Sequence, residues 1–395
     1  MKLLGLGVRK WAVLALLCLS WIGLSGISLS GLSVKAQKAS ASDPGQNQSA
    51  LEQQAAEAYQ QNRFEDAARL YRQAVKQRPK WTEGWGYLAA SLFTLNRYAE
   101  ARDAYRQTTI LTPANGPSWT YLGFCEYELR DYRNAFDHLT KAEHMGPGDS
   151  PEVRSRLHYE LALLWDTAGQ FDMAMKEASL LAKAGDKSPP VLEATGLIAL
   201  RMPLFPYEIP AAQHELVMKA GEAGWAVNAQ HLEEARQLYK ELIAQYPRQP
   251  NLHADYGLVL AVSDQEQAVA ELEKELELSP KHVPAMVEAA FLCLEMSQLD
   301  KSAALAKRAI EIAPRNYAPH NILGRVLVQT GHSARGIEEL ETAVHLAPEI
   351  ASSHFNLAQA YQKAGKNEEA AREFARFKVL DREKEGQNGG TEARP

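Results

Sequence analysis

Seven prolines recur along this sequence in two runs with an interval of 33 or 34 residues: Pro79, Pro113 and Pro147, then Pro247, Pro280, Pro314 and Pro348. Twelve residues before each proline lies a small residue: Ala67, Ala101, Ala135, Ala235, Ala268, Ser302 and Gly336. Another small residue precedes that one by eleven or twelve positions: Ala55, Ala89, Gly123, Ala223, Gly257, Ala290 and Gly324. A fixed period of this length predicts an array of helical repeats.

The paired small residues have a mechanical explanation. Two antiparallel helices reach the short end of the usual interaxial range, about 8–10 Å, only where both lack bulk at their crossing. Larger residues flank the small ones with helical periodicity, as Leu88 and Leu92 flank Ala89. Each proline is expected to end the second helix, because a proline inside a helix removes a backbone donor and clashes with the preceding turn.

The repeats resemble those of the tetratricopeptide repeat family, whose signature is an aromatic residue, then Leu-Gly, Tyr, Ala and Pro. The third repeat matches this signature with Trp119, Leu122, Gly123, Tyr132, Ala135, Ala142 and Pro147, and the last repeat matches it with Leu357, Ala358, Tyr361, Gly365, Ala370 and Phe374. The resemblance implies an all-α fold, a right-handed α-solenoid of about nine helix-turn-helix repeats interrupted by one proline-rich insertion.

The repeat register predicts the domain organisation. Four repeats occupy residues 48–188 and five occupy 216–382, with five inserted residues, Ser150 to Arg154, before the fourth. Residues 189–215 are predicted to form one helix, from Val191 to Arg201, followed by a proline-rich connector. The apolar connector residues Leu204, Phe205, Tyr207 and Ile209 either fold back over a helix that lacks a partner, or act as a docking segment or internal ligand. Residues 37–47 are expected to be a linker and 383–395 a disordered tail.

The first 36 residues resemble a bacterial export signal. They carry Lys2, Arg9 and Lys10, then an apolar run over residues 11–34, and no acidic residue. We expect cleavage after Ala36, although the apolar run is also long enough to be a retained membrane tether. Because the basic residues precede the apolar run, the repeats should lie outside the cytoplasm, in the periplasm or secreted, or anchored to the inner membrane.

The net charge and the absence of catalytic motifs argue against two classes of function, nucleic-acid binding and enzyme activity. Removing residues 1–36 leaves 39 Lys and Arg against 49 Asp and Glu, a net charge of −10, and this argues against nucleic-acid binding. The sequence carries no hydrolase, zinc-protease, thiol-redox or phosphate-loop motif, so we predict no enzyme activity and no cofactor. Cys125 and Cys293 are expected to be free, buried thiols. His158, His253, His320 and His354 share the fourth position of their repeats and are expected to pack rather than bind metal, because no carboxylate or thiol is spaced to complete a site.

Family resemblance also suggests a binding surface. In this family the first helices line a concave groove, and ligand contacts usually come from the second, fifth, sixth, ninth, twelfth and thirteenth positions of each repeat. In the second to fourth repeats those positions hold aromatic residues: Tyr87, Phe93, Tyr121, Phe124, Tyr127 and Tyr159. Acidic residues lie beside them: Glu83, Glu128, Glu160 and Asp166. About half of the aromatic side chains are expected to be solvent-accessible, the others packing on neighbouring repeats.

The last two repeats present a different lining at the same positions. It is polar and rich in amides: Asn321, Arg325, Asn356 and Gln359. Amides can hold the backbone of an extended peptide, and they are also typical of an ordinary solvated surface. We therefore predict a non-enzymatic scaffold or adaptor that binds protein segments in its groove. Two alternatives remain open: a docking subunit of an envelope enzyme complex, or a glycan-binding envelope module.

The export signal makes a direct prediction. The protein recovered from cells should lie in the envelope or extracellular fraction and begin near Gln37, as N-terminal sequencing would establish. Full-length protein in the inner membrane would instead support the tether. Full-length protein in the cytosol would contradict both forms of the assignment.

Overall fold

The computed structural model of the chain describes the backbone of residues 44–389 and the side chains of residues 50–383. The predicted signal segment at 1–36, with its possible tether at 11–34, lies outside these residues. The predicted linker and tail lie only partly within them. Residues 44–47 are helical and begin the first helix, and residues 383–389 are helical and end the last one. The structure therefore differs at these residues from the predicted linker and the predicted disordered tail. Among the described residues, no helix is both long enough and apolar enough to cross a bilayer.

The described part of the chain is all-helical, as predicted, and holds nineteen α-helices and no strand. The first nine are α1 Pro44–Gln60, α2 Phe64–Gln77, α3 Thr82–Thr94, α4 Tyr98–Leu111, α5 Gly116–Glu128, α6 Tyr132–Met145, α7 Pro151–Thr167, α8 Phe171–Lys183 and α9 Pro189–Ala199. The other ten are α10 His214–Asn228, α11 Leu232–Gln245, α12 Leu252–Ala261, α13 Gln265–Leu278, α14 Val283–Glu295, α15 Leu299–Ile312, α16 Tyr317–Gln329, α17 Ser333–Leu346, α18 Ala351–Lys363 and α19 Asn367–Gly389. Nine consecutive pairs correspond to the nine repeats, and α9 stands between the fourth and fifth pairs.

The repeat prolines end the second helices as expected. All seven of these helices stop two residues before their proline, as α2 does at Gln77 and α17 at Leu346. In six of the seven cases the residue between has a non-helical backbone with negative φ, as at Thr112 with φ −134° and ψ 75°, because the proline ring excludes the helical conformation there. The exception is Gly146, which has φ 87°. Left-handed residues close the turns inside the repeats, as Asn96 does with φ 57°. The N–H of Arg97 then donates to the carbonyl of Leu92 at 2.9 Å and satisfies the end of α3.

The small-residue pairs lie at the helix crossings. Ala89 and Ala101 are both fully buried where α3 meets α4. At Gly123, an added Cβ would lie 2.6 Å from two carbon atoms of Leu139, so α5 and α6 approach too closely for any larger residue. Where the second small residue is Ser302, its hydroxyl donates to the Ala290 carbonyl at 2.7 Å across the crossing. Cys125 and Cys293 are free and buried, as expected.

The two interruptions take definite structures. Residues 151–154 of the short insertion extend α7 by about one turn at its amino end, so α7 has 17 residues where α5 has 13. After α9, the connector is irregular apart from two 3-10 turns, Pro206–Glu208 and Ala211–Gln213, because its prolines cannot continue a helix.

The described residues form two compact units. The first holds the chain up to Ile198 together with Met202–Ile209. Within it, Ile198 of α9 packs in an apolar cluster with Ala162 of α7 and Ala178 of α8. The second holds Ala199–Arg201 and the chain from Pro210 onward. Within that unit, the Asn251 amide donates to the Leu200 carbonyl at 2.9 Å and ties this short segment to α12.

Two glycines on first helices provide a test of the crossing geometry. Gly123→Ala should destabilise the protein by about 1–3 kcal/mol, because its methyl group would collide with Leu139. Gly86→Ala, in α3, should instead stabilise it by up to about 1 kcal/mol, because the new Cβ meets no atom within 4 Å and alanine favours helix. Denaturant unfolding measures both changes. Equal effects of the two substitutions would contradict the proposed crossings.

Candidate protein-binding surface

Two stacked tyrosine pairs repeat along the first unit at the 34-residue period. The Tyr71 and Tyr87 rings lie 5.4 Å apart and within 14° of parallel, and Tyr105 and Tyr121 lie 5.4 Å apart and within 13°. Each pair joins the second helix of one repeat to the first helix of the next. Burial raises the pKa values of the Tyr71 and Tyr105 phenols, so these rings remain neutral. We call Tyr59, Tyr71, Tyr87, Tyr105 and Tyr121 the tyrosine face.

Exposure divides the predicted aromatic binding residues into two groups. Tyr87 has 43% of its surface exposed, whereas Tyr121, Tyr127 and Tyr159 are half-buried. Phe93 and Phe124 are buried, with only 1% of Phe124 exposed, so their assignment as direct contacts requires correction. They instead support Tyr121, whose ring packs edge-on against both at 5.3 and 5.7 Å.

Arg156 of α7 lies over the Phe124 ring. Its guanidinium lies 4.4 Å from the Phe124 ring centre and 5.4 Å from that of Phe93. It also donates to Glu160 at 2.7 Å and to Glu128 at 2.8 Å. Burial raises the pKa of Glu160, and Arg156 opposes this increase while Glu128 adds to it. Arg156 therefore joins the third and fourth repeats.

The connector lies against the third repeat. The Phe205 ring stacks on Tyr132 with centres 4.1 Å apart and meets Tyr127 edge-on at 6.2 Å. Tyr207 places its hydroxyl 3.2 Å from that of Tyr132, and the Arg130 guanidinium lies 4.3 Å from the Tyr207 ring centre. Phe205 is buried while Tyr207 is half exposed. The connector, with its 3-10 turn at Pro206–Glu208, thus contacts aromatic residues that include the predicted binding position Tyr127.

Amide side chains that line the last two repeats form hydrogen bonds with each other and with neighbouring side chains. Asn356 donates to the Asn321 side-chain oxygen at 2.9 Å, and Asn321 donates to Ser353 at 3.0 Å. Arg325 donates to Glu295 at 2.7 Å. Asn321 is buried, which corrects its assignment as a peptide contact, and Gln359 is exposed. The network joins the two repeats, because each amide supplies a partner for the next.

Sequence reasoning missed an apolar set in the second unit. Leu258 and Phe291 occupy the ninth position of their repeats, and Val262 the thirteenth; all three are exposed. Arg325, also at a ninth position, has its guanidinium 6.0 Å from the Phe291 ring centre. The positional rule that selected Arg325 and Gln359 would have found these residues if it had been applied to the sixth and seventh repeats.

Comparison with known protein families agrees with this helical architecture. Residues 53–117, 88–150 and 323–383 match the family model described as Tetratricopeptide repeat. Within these three stretches the helical pairs are tetratricopeptide repeats, as the sequence predicted. Repeats of this class indicate a protein–protein interaction scaffold.

Individual relatives share parts of the chain. The mitochondrial import receptor subunit TOM70 of mouse is 29% identical over 130 residues, which cover 32% of this chain and 21% of the mouse protein, and rat TOM70 gives the same values. The chain therefore spans about a fifth of the length of the curated relatives it matches. Among solved structures, MamA from Desulfovibrio magneticus RS-1 has 23% identity and a TM-score of 0.39, with 42% of this chain and 94% of that chain covered. Yeast Tom70 has 11% identity and a TM-score of 0.36, with 86% of each chain covered.

Asp166 of α7 gives a pH-dependent prediction. It is fully buried, which corrects its placement beside an open groove, and both carboxyl oxygens lack a hydrogen-bond partner among the described residues. Burial raises its pKa to about 7. Because the unfolded carboxyl titrates near pH 3.9, the folded state holds the extra proton between about pH 4 and 7, and stability falls as pH rises through that window.

Asp166→Asn should remove this contribution. As pH rises from 4 to 7, the free energy of unfolding of the variant should increase relative to that of the parent by up to about 1.4 kcal/mol per pH unit. The melting temperature of the variant should rise relative to that of the parent over the same range. Thermal unfolding at several pH values measures this. Melting curves that shift in parallel for both proteins would contradict the assignment.

Proposed function

We propose that the chain is a non-enzymatic scaffold that acts outside the cytoplasm and binds aromatic, extended protein segments on the tyrosine face of its first unit. The connector carries this proposal. Its Pro-Leu-Phe-Pro-Tyr sequence binds aromatic residues through ring stacking, an arginine–ring contact and a hydroxyl–hydroxyl hydrogen bond. A partner segment of similar chemistry would find aromatic rings and hydroxyl groups on the tyrosine face, where Tyr59, Tyr87 and Tyr121 are exposed or half-buried.

The physical character of the face supports a peptide ligand. The tyrosines are held by stacking on neighbouring rings, so little side-chain entropy remains to be lost on binding. Exposed aromatic area with a hydroxyl at its edge is typical of residues that dominate protein interfaces. The external location rests on the basic and apolar pattern of residues 1–36.

Single substitutions on the face test the proposal. A displayed peptide library selected on residues 37–395 should yield aromatic peptides, and Tyr87→Ala should weaken their binding by about 2 kcal/mol, or about 30-fold. Fluorescence anisotropy with the selected peptides measures the change, and circular dichroism confirms folding. Tyr87 suits this test because its ring is substantially exposed.

The amide network supplies the matched control. Asn321→Ala with Asn356→Ala changes the lining of the second unit and should leave peptide affinity unchanged. If the amide pair abolishes binding while Tyr87→Ala does not, the site belongs to the last two repeats. If soluble glycans displace every selected peptide from the protein, the result would favour the glycan-binding alternative.

A further inference from the structure

A histidine–glutamate pair recurs across four repeats. His158 lies 2.7 Å from Glu177, His253 2.6 Å from Glu271, His320 2.7 Å from Glu339 and His354 2.6 Å from Glu373, in each case through Nδ1. The histidine is on the first helix and the glutamate on the second. Sequence reasoning overlooked these carboxylates because they follow 18 or 19 residues later, on a different helix.

In three of the four repeats, both nitrogens of the imidazole are engaged. Nε2 of His253, His320 and His354 lies 3.0–3.4 Å from the carbonyl oxygen of the preceding repeat proline. Trp85 and Trp119 make the same contact from the same position, each donating to a proline carbonyl at 2.9 Å. These three histidines therefore pack between repeats, as predicted, and offer no nitrogen to a ligand.

The fourth repeat departs from this pattern in two ways. The Ser150–Arg154 insertion separates His158 from Pro147, and within the described residues His158 makes no hydrogen bond except the one to Glu177. In the other three repeats, the helix that precedes the histidine has an apolar residue two positions before its end: Ile243, Ile310 and Val344. The corresponding residue of α6 is Glu143, so a carboxylate takes the place of an apolar side chain.

The three side chains converge. One ligand atom from each of Glu143, His158 and Glu177 lies within 4.8 Å of the other two. Glu177 is fully buried, and its Oε1 has no hydrogen-bond partner among the described residues. Lys176 approaches Glu143 no closer than 3.9 Å and is mostly exposed. Two carboxylates thus face one imidazole, with a buried oxygen left unsatisfied, which is costly without a cation.

We propose that Glu143, His158 and Glu177 bind a divalent first-row transition-metal ion. Zn²⁺ binds imidazole nitrogen at about 2.0–2.1 Å and carboxylate oxygen at about 2.0–2.2 Å in a tetrahedral arrangement, so its ligand atoms lie about 3.4 Å apart. The three ligand atoms here lie within 4.8 Å of one another, so small side-chain rotations bring them to that spacing. The mixed nitrogen and oxygen set suits such ions better than Ca²⁺ or Mg²⁺, which prefer oxygen alone. Glu143 and His158 are partly exposed, which gives the ion a path from solvent.

Titration with Zn²⁺ tests the site. Residues 37–395, freed of metal by a chelator, should bind one equivalent in isothermal titration calorimetry and gain melting temperature. Glu143→Gln should weaken this binding at least about 10-fold, because it removes an anionic ligand. The variant should fold, since the described side-chain contacts of Glu143 are limited to the distant Lys176.

Glu339→Gln is the matched control. It changes the equivalent pair in the eighth repeat, where Ile310 takes the place of Glu143 and both nitrogens of His320 are already engaged. Its Zn²⁺ affinity and stoichiometry should equal those of the parent. The proposal is overturned if the parent shows no stoichiometric binding, or if Glu143→Gln binds Zn²⁺ as the parent does.

Discussion

The close helix crossing inside each repeat is the constraint on which the other features depend. Gly324 and Gly336 show how little room it leaves, because a Cβ added to either would lie 2.8 Å from the carbonyl oxygen of the other. The crossing sets the offset between the first and second helices of a repeat, and the proline sets where the second helix ends. With both fixed, any residue type that recurs at the repeat period returns to the same environment. The stacked pairs of the tyrosine face are the direct result.

The link between consecutive repeats depends on a second recurring contact. In five repeats a donor nitrogen at the fourth position, from tryptophan or histidine, reaches the carbonyl of the preceding repeat proline. This supplies a donor for the proline carbonyl, which lies two residues beyond the end of the helix. The fourth repeat lacks the contact because five inserted residues precede it. The proposed metal site lies where this contact is missing.

Much of the fold could be predicted from the sequence because it arises from local rules that repeat. The period, the nine pairs, the helix ends before proline and the interruption near residue 189 all follow from steric restrictions on small residues and proline. The positional rule for binding residues succeeded less well, since it treats each repeat separately. It could not foresee that Arg156, from the fourth repeat, covers Phe124 of the third. Nor could it foresee that Asn321 and Asn356 satisfy each other.

The histidines illustrate the same limit at the level of single contacts. Their shared position was visible in the sequence, but their glutamate partners lie on another helix, and Glu143 on yet another repeat. The connector was also ambiguous. Its prolines exclude a helix, yet its apolar residues do not specify which surface they cover. Contacts between distant segments depend on how the helices pack, and no local pattern encodes them.

Site-specific photo-cross-linking in cells would test the account most directly. A benzophenone amino acid at position 87 should cross-link to protein partners, because this position is on the tyrosine face. The same group at position 110, an exposed site on the second helix α4, should not. Cross-links of equal yield from both positions, or from position 110 alone, would contradict the claim that the tyrosine face binds partners.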